Sequence, residues 1–462
     1  MNKYIKFKKN IIVFTLGSLG TKIINIILLP YYTNVFSTSE YGIVELLLTI
    51  AGLIIPIISL SINDAVLRFS IDEIENRDVI FSSSIIITVI GFLVSLIPIF
   101  FIHHLVEIKF LVYLYVYILL TMIYNLFGYY AKGIGYTAIY AKSGILYTFI
   151  FSILNIFLIS VCKLKIQGYF ISLFIATLIC IVYISIKCHY RFCILHRIDI
   201  EMIKKLLKFS IPLVPNNISW WVSNSSDKLL LNRYVSIADV GIYSVAYKIP
   251  NAYNSVTSIF INAWQISTVE TLNDNDKFDF YKKIYNAYFY VSIMLTSIIA
   301  ISARLISIIL FENEFQIAWM CMPLLVASVF FSSIAAFYGG ILTANKYTTS
   351  IFTSTVVCAL TNITLNIIFI PKLKTVGAAL ATCLCYILLF VIRNMYIKHK
   401  IKYTSNNCMN YLSIFFLMMQ VLLYIDYFHI SVVCFVVLAI ICIKVIRKSK
   451  ILNVINYHYK DQ

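Results

Sequence analysis

Charge is what this sequence has least of. Only 12% of its 462 residues are Asp, Glu, Lys or Arg, about half the share usual in a soluble domain. The hydrophobic share is 61%. Apolar runs of about 20 residues, each long enough to span a bilayer's hydrocarbon core, recur from end to end. No soluble domain of useful size fits between them, so the whole chain reads as one all-α polytopic membrane unit.

Catalytic signatures are missing too. There is no GxxxxGK[ST], hence no phosphate-cradling loop for ATP, and neither HExxH nor GxSxG occurs. No large outer loop carries an acidic pair. The chain is therefore not read as an enzyme, and no cofactor is expected. The 11 cysteines are scattered singly through apolar runs, without a CxxC. Cys383 and Cys385 stand two apart on a predicted helix and point to different faces. Such residues read as small packing groups rather than metal or redox centres. The basic start, MNKYIKFKKN, is followed by an apolar run without a small-residue cleavage site, so Ile11 onward is expected to be a retained first helix.

What is present is a patterned excess of positive charge. The net charge of +17 invites a nucleic-acid reading, but position decides against it. Helices are expected at about 11–35, 41–69, 79–102, 110–131, 143–162, 166–187, 206–233, 240–268, 284–311, 316–343, 347–370, 374–397, 409–427 and 429–446, or about 14 in all. With the N-terminus inside, about 26 of the 37 Lys and Arg fall on the cytoplasmic side. About six fall on the other side, Lys109, Lys163 and Lys165 among them. That bias is the positive-inside pattern and puts both termini in the cytoplasm.

The chain also repeats itself. Ser37–Ile43 resembles Ser236–Ile242, an offset of 199. Tyr136-Thr137, Ser143 and Leu154-Asn155-Ile156 match Tyr347-Thr348, Ser354 and Leu365-Asn366-Ile367, an offset of 211. Two similar offsets, six helices apart, indicate two six-helix lobes related by a pseudo-two-fold along the membrane normal, followed by two more helices. The expected divisions are 1–190, a cytoplasmic amphipathic linker at 191–208, 209–400, and 401–462. In the linker, Met202, Ile203, Leu206 and Leu207 oppose Lys204, Lys205 and Lys208, as in a helix lying on the cytoplasmic leaflet.

The stretch Phe209–Pro250 reads as a broken, polar transmembrane hairpin. Pro212, Pro215, Asn216, Asn217, Ser223–Ser226, Asp227, Lys228 and Lys248 interrupt its apolar residues. Each charge at a helix centre costs about 2.5–3.5 kcal/mol and wants a partner or a wet cavity. Lys22 and Lys248, on the first and eighth helices, either line such a cavity or pair with Glu45 or Asp227. Asp64 and Arg68, four apart on one face, can pair with each other. Lys228 and Arg304 read as side chains that snorkel to the headgroups. A cationic cavity suits a phosphate or pyrophosphate. Trp220, Trp221, Trp264 and Tyr247 offer flat faces to sugar rings, or serve in packing and interfacial belts.

Two stretches carry a family resemblance: LGSLGTKIINIILLPYYTNVFSTSEYGIVELLLTI near the N-terminus and PLVPNNISWWVSNSSDKLLLNRYVSIADVGIYSVAYKIP in the centre. They resemble Wzx-type O-antigen and capsule repeat-unit flippases, the polysaccharide branch of the multidrug/oligosaccharidyl-lipid/polysaccharide exporter superfamily. The resemblance implies translocation of undecaprenyl-pyrophosphate-linked oligosaccharide across a bacterial inner membrane by alternating access. It implies polysaccharide polymerase and chain-length regulator partners alongside membrane lipids. Carried over by position, Lys22, Arg68 and Lys248 become lumen cations. From the residues themselves, Asn216, Asn217, Trp220 and Trp221 are candidate lumen-polar or sugar-stacking contacts, and Glu45, Asp64 and Asp227 candidate proton or Na⁺ sites or charge partners. A cation-coupled multidrug exporter of the same superfamily and a non-transporting scaffold for glycan assembly are the competing readings.

Overall fold

In lipid a chain must satisfy its backbone polar groups internally, and a helix does so within one segment. The protein, seen as a computed structural model that describes residues 24, 26–96, 108–188, 199–403 and 408–448, follows that rule: helix dominates, and no strand occurs among the described residues. Nine of the described helices are long and apolar enough to cross a membrane. The helices fall into two compact units, one ending at Leu229 and the other beginning at Leu230.

The first unit holds α1 (Leu29–Val35), α2 (Thr38–Ile58), α3 (Ile62–Asp72), α4 (Arg77–Ser95), α5 (Ile108–Gly133), α6 (Thr137–Ile156), α7 (Lys165–Lys187), α8 (Ile200–Ser210) and most of α9 (Val214–Tyr234). Its hub is α5, which packs against α2, α3, α4, α6 and α7. Val44, Ala51, Leu114, Ile118, Met122 and Phe170 form one buried cluster. There the rings of Tyr113 and Phe170 stack at 5.1 Å. The helix expected over 41–69 is two helices. Leu60 and Ser61 adopt left-handed φ of 49° and 53°, a conformation that L-residues enter at a cost and that a continuous right-handed helix cannot contain. Pro56, lacking an N–H, sits in the last turn before the break.

The amphipathic segment forms α8, and its apolar face is docked rather than free. Met202 and Leu206 are buried against Ile62, Ala65 and Val66 of α3 and Ile80 and Phe81 of α4. Lys205, on the polar face, pairs with Glu73.

The second unit holds α10 (Ile237–Ala246), α11 (Lys248–Glu270), α12 (Lys277–Ile301), α13 (Ala303–Leu310), α14 (Met322–Ala344), α15 (Thr348–Tyr396), α16 (Cys408–Leu422) and α17 (Phe428–Lys448). Here α14 is the hub, against α11, α12 and α15. Trp264 lies flat on Phe337 with ring centroids 4.1 Å apart. Its Nε1 donates to the Phe337 carbonyl at 2.9 Å. The 49-residue α15 breaks at Lys374, where φ is 50°, so it covers the two helices expected at 347–370 and 374–397. The helix expected over 240–268 divides at Tyr247, and that over 284–311 at Ser302.

The repeated motifs have the same local meaning in both units. Ser37 caps α2: its Oγ accepts from Glu40 N, while the Ser37 N–H donates to Glu40 Oε2 at 2.9 Å. Ser236 caps α10 in the same way, its Oγ accepting from Asp239 N at 3.1 Å. Each satisfies N–H groups that a helix start leaves orphaned. The second repeat marks helix starts as well, Tyr136 before α6 and Tyr347 before α15. The matched Asn155 and Asn366 are both fully buried.

Candidate functional site

A polar seam runs through the first unit along one face of α2. Tyr41, Glu45, Thr49 and Gly52 recur at three or four residues and therefore share that face. Opposite them stand Asn217, Trp221 and Lys228 of α9, spaced by four and seven. Glu45 Oε2 accepts from Lys228 Nζ at 2.8 Å. Its Oε1 accepts from the Tyr41 hydroxyl at 3.1 Å. One turn further, Trp221 Nε1 donates to the Thr49 carbonyl at 3.0 Å. Gly52 makes room for this approach, because a Cβ there would sit 3.2 Å from the indole nitrogen. At the α2–α3 break, Asn217 Nδ2 donates to Ser61 Oγ at 3.0 Å, and Asn217 also hydrogen-bonds Asp64.

Glu45 and Lys228 are a buried pair, their side chains 8% and 15% exposed. Tyr32 and Tyr169 stand behind Tyr41, with the Tyr32 centroid 6.3 Å from Tyr41 and 5.9 Å from Tyr169. The arrangement holds a carboxylate between an ammonium and a phenol inside an aromatic wall. A proton or small cation arriving at Glu45 competes with Lys228 for the same oxygens.

The other expected site residues are placed as follows. Asp227 is buried beside Lys228, and its Oδ1 accepts from the Lys228 N–H at 3.0 Å. Asn216 is half-buried, and Trp220 is exposed on the adjoining face of α9. Arg68 does not pair with Asp64. Its Nε donates to Asp72 at 2.9 Å, and its side chain is 62% exposed. Asp64 is taken up by Asn217, while Asp72 lies one turn C-terminal of Arg68 on the open side of α3, which decides the competition. Lys248 opens α11 in the second unit and is half-buried. Lys22 lies outside the described residues. Among the described residues no group of acidic, His and Cys side chains is arranged to hold a metal.

Two functional-looking cations escape sequence reading. Lys228, read as a snorkelling side chain, is the ammonium of the buried pair. Its signal was a carboxylate, Glu45, needing a partner inside a membrane. Arg393, near the end of α15 in the second unit, is 3% exposed. Its Nη1 donates to the Ala335 carbonyl at 3.0 Å, and Nε and Nη2 reach Ser354 Oγ and Thr355 Oγ1 at 3.2 Å each. Gly339 lets it in, since a Cβ there would lie 3.0 Å from Nη1. Ser354 belongs to the second repeat, so the repeat marked one acceptor but not the donor.

Residues 7–264 match the family model of polysaccharide biosynthesis proteins. The chain belongs to that family. Its fold is shared with solved membrane transporters of low sequence identity. It is similar to the lipid II flippase MurJ in an inward closed conformation, with a TM-score of 0.73 and 14% identity over 95% of this chain and 100% of that one. It is similar to an inward-facing multidrug resistance MATE family transporter of the MOP superfamily, with a TM-score of 0.72 and 11% identity over 86% and 98%. A point mutant of the Vibrio cholerae MATE transporter VcmN gives a TM-score of 0.59 at 12% identity over 88% and 99%. No curated protein matches the chain in sequence. The structures that share this fold are transporters and a flippase, not enzymes.

Proposed function

We propose that the protein is a flippase that carries undecaprenyl-pyrophosphate-linked oligosaccharide repeat units across a bacterial inner membrane, with both termini cytoplasmic. The observation that carries this reading is the match of residues 7–264 to polysaccharide biosynthesis proteins on a transporter-type helical fold. Lys22 and Lys248 are the cations proposed to meet the pyrophosphate, which two ammonium groups suit by charge. Arg68 is proposed to act with them after leaving Asp72, an exposed partner that holds it weakly. Asn216, Asn217, Trp220 and Trp221 are proposed to meet the sugars. Without an ATP-binding loop, movement is driven by an ion gradient or by consumption of the product. Glu45 is the proposed coupling group, with Asp64 and Asp227 as the further candidate acids. Glycan polymerase and chain-length regulator are its proposed partners.

The test is surface glycan assembly in cells carrying Lys22→Ala, Lys248→Ala and both. Loss of glycan with normal membrane levels of protein is expected; normal glycan in the double variant sinks the cationic path. One observation favours a second reading, a cation-coupled multidrug exporter: the buried Glu45 carboxylate is the group a cationic drug or coupling ion needs. Raised resistance to cationic dyes on expression, abolished by Glu45→Gln, would select it.

A further inference from the structure

Two thiols meet inside the second unit. Cys358 stands on the arm of α15 before the break at Lys374, and Cys385 stands on the arm after it, 27 positions further on. The Cys358 thiol donates to the Cys385 carbonyl at 3.4 Å and to the Cys385 Sγ at the same distance. Both side chains are buried, at 1% and 0% exposed, and both are free thiols. Sequence reads them as packing groups, because nothing local marks cysteines on different arms as neighbours.

Their surroundings are polar for a membrane interior. Asn362 Nδ2 donates to the Cys385 Sγ at 3.7 Å and to Thr382 Oγ1 at 3.4 Å. Arg393 Nη2 donates to Thr355 Oγ1 at 3.2 Å, and Cys358 lies three residues beyond Thr355, on the same face of that arm. The guanidinium thus brings a positive charge within electrostatic reach of the Cys358 sulfur.

A thiol with a second thiol beside it can turn a reaction with peroxide into a disulfide. We propose that Cys358 and Cys385 are a peroxide-sensitive pair whose oxidation joins the two arms of α15. First, the Cys358 sulfur attacks one oxygen of hydrogen peroxide. An S–O bond forms, the O–O bond breaks, and the thiol proton leaves with the second oxygen as water. Next, the Cys385 sulfur attacks the Cys358 sulfenic acid. The S–S bond forms, the S–O bond breaks, and the second thiol proton leaves with the hydroxyl as water. The two thiols lose two electrons, and one peroxide becomes two waters. The thiolate is the attacking form, and the nearby guanidinium stabilises its charge. The sulfurs close from 3.4 Å to about 2.05 Å, and the second thiol is already in place, which raises its effective concentration. Burial selects the oxidant: hydrogen peroxide is small and uncharged, whereas a peptide disulfide is too bulky to reach the pair.

The test uses the purified full chain in micelles, treated with hydrogen peroxide, quenched, unfolded and alkylated before mass spectrometry of its peptides. The dose is set where the exposed Cys162 and Cys408 are fully oxidised. A linked Cys358–Cys385 peptide pair, two hydrogens lighter than the thiols and released by dithiothreitol, is expected, while Cys383 stays alkylatable. In Cys385→Ser the reaction should stop at the Cys358 sulfenic acid, which dimedone traps. Arg393→Met should slow pairing severalfold, and an equal rate removes the guanidinium from the reaction. Recovery of Cys358 and Cys385 as thiols at that dose overturns the proposal, as does linkage of either to another cysteine. The native chain alone decides between these outcomes, so a variant that fails to fold does not blur them. The readout is a bond rather than transport, so the flippase reading stands or falls separately.

Discussion

The Glu45–Lys228 pair makes a quantitative prediction through its singles and its double. At 2.8 Å and an effective dielectric of about 20, two unit charges attract by about 6 kcal/mol. Taking both ions out of water costs several kcal/mol each and cancels most of that gain. The intact pair is therefore worth little net. Removing one member is different, because it strands the other in the same buried place. Glu45→Gln and Lys228→Gln should each cost about 3–5 kcal/mol. The double variant strands neither partner of the pair, although Asp227 stays buried beside residue 228, and it should cost less than the sum by about 2–3 kcal/mol. The assay is reversible denaturation of the purified protein in micelles, followed as a four-member cycle. Costs that add to within about 0.5 kcal/mol would refute the pairing.

Two further predictions concern groups elsewhere. Arg393 meets only neutral acceptors among the described residues, and the hydroxyls of Ser354 and Thr355 also donate to the Ile351 carbonyl, so they keep partners without it. Arg393→Met should then cost under about 1 kcal/mol, whereas Arg393→Lys, a buried charge that cannot fork to three acceptors, should cost about 3 kcal/mol; the opposite ranking in thermal melts would show that the guanidinium is a net stabiliser. Glu73, outside the spanning helices, is held below the usual carboxylate range by its hydrogen bond from Lys205. A depressed acid contributes stability above its ordinary range and loses it as pH falls through the lowered value. The protection factors of α8 amides, corrected for the intrinsic pH dependence of exchange, should therefore fall as pH drops below about 4.5, by the small amount an exposed pair allows, and Glu73→Gln should remove that fall.

Much of the fold is legible because lipid leaves few options. Apolar run length alone locates α4, α5, α6, α7, α14 and α17, since a bilayer demands both length and helix. The breaks are not legible that way. Leu60 and Ser61 are ordinary helix-compatible residues that give no warning of their left-handed turn, whereas the break at Lys374 falls where two helices were expected to meet, three residues after Pro371. The repeat was visible as similarity, but its physical content, a serine cap with an acid three residues on, emerges only at the helix starts. At the site, sequence correctly flagged that Glu45 needed a partner. It did not name Lys228 as that partner, because the 183 positions between Glu45 and Lys228 carry no local signal of their meeting. Arg68 illustrates the converse: two acids stand four residues away on either side, and exposure rather than spacing chooses between them.

The distance along the chain between Glu45 and Lys228 also has a consequence for biogenesis. A ribosome adding about 5–20 residues per second needs about 10–40 s to cover the 183 positions that separate them. Throughout that interval the Glu45 carboxyl is already synthesised and its ammonium is not. The Glu45–Lys228 contact forms only once α9 has emerged. A nascent chain that stalls before residue 228 thus lacks the ammonium that meets Glu45 in the folded protein, a chemical mark of incompleteness that membrane quality control can read.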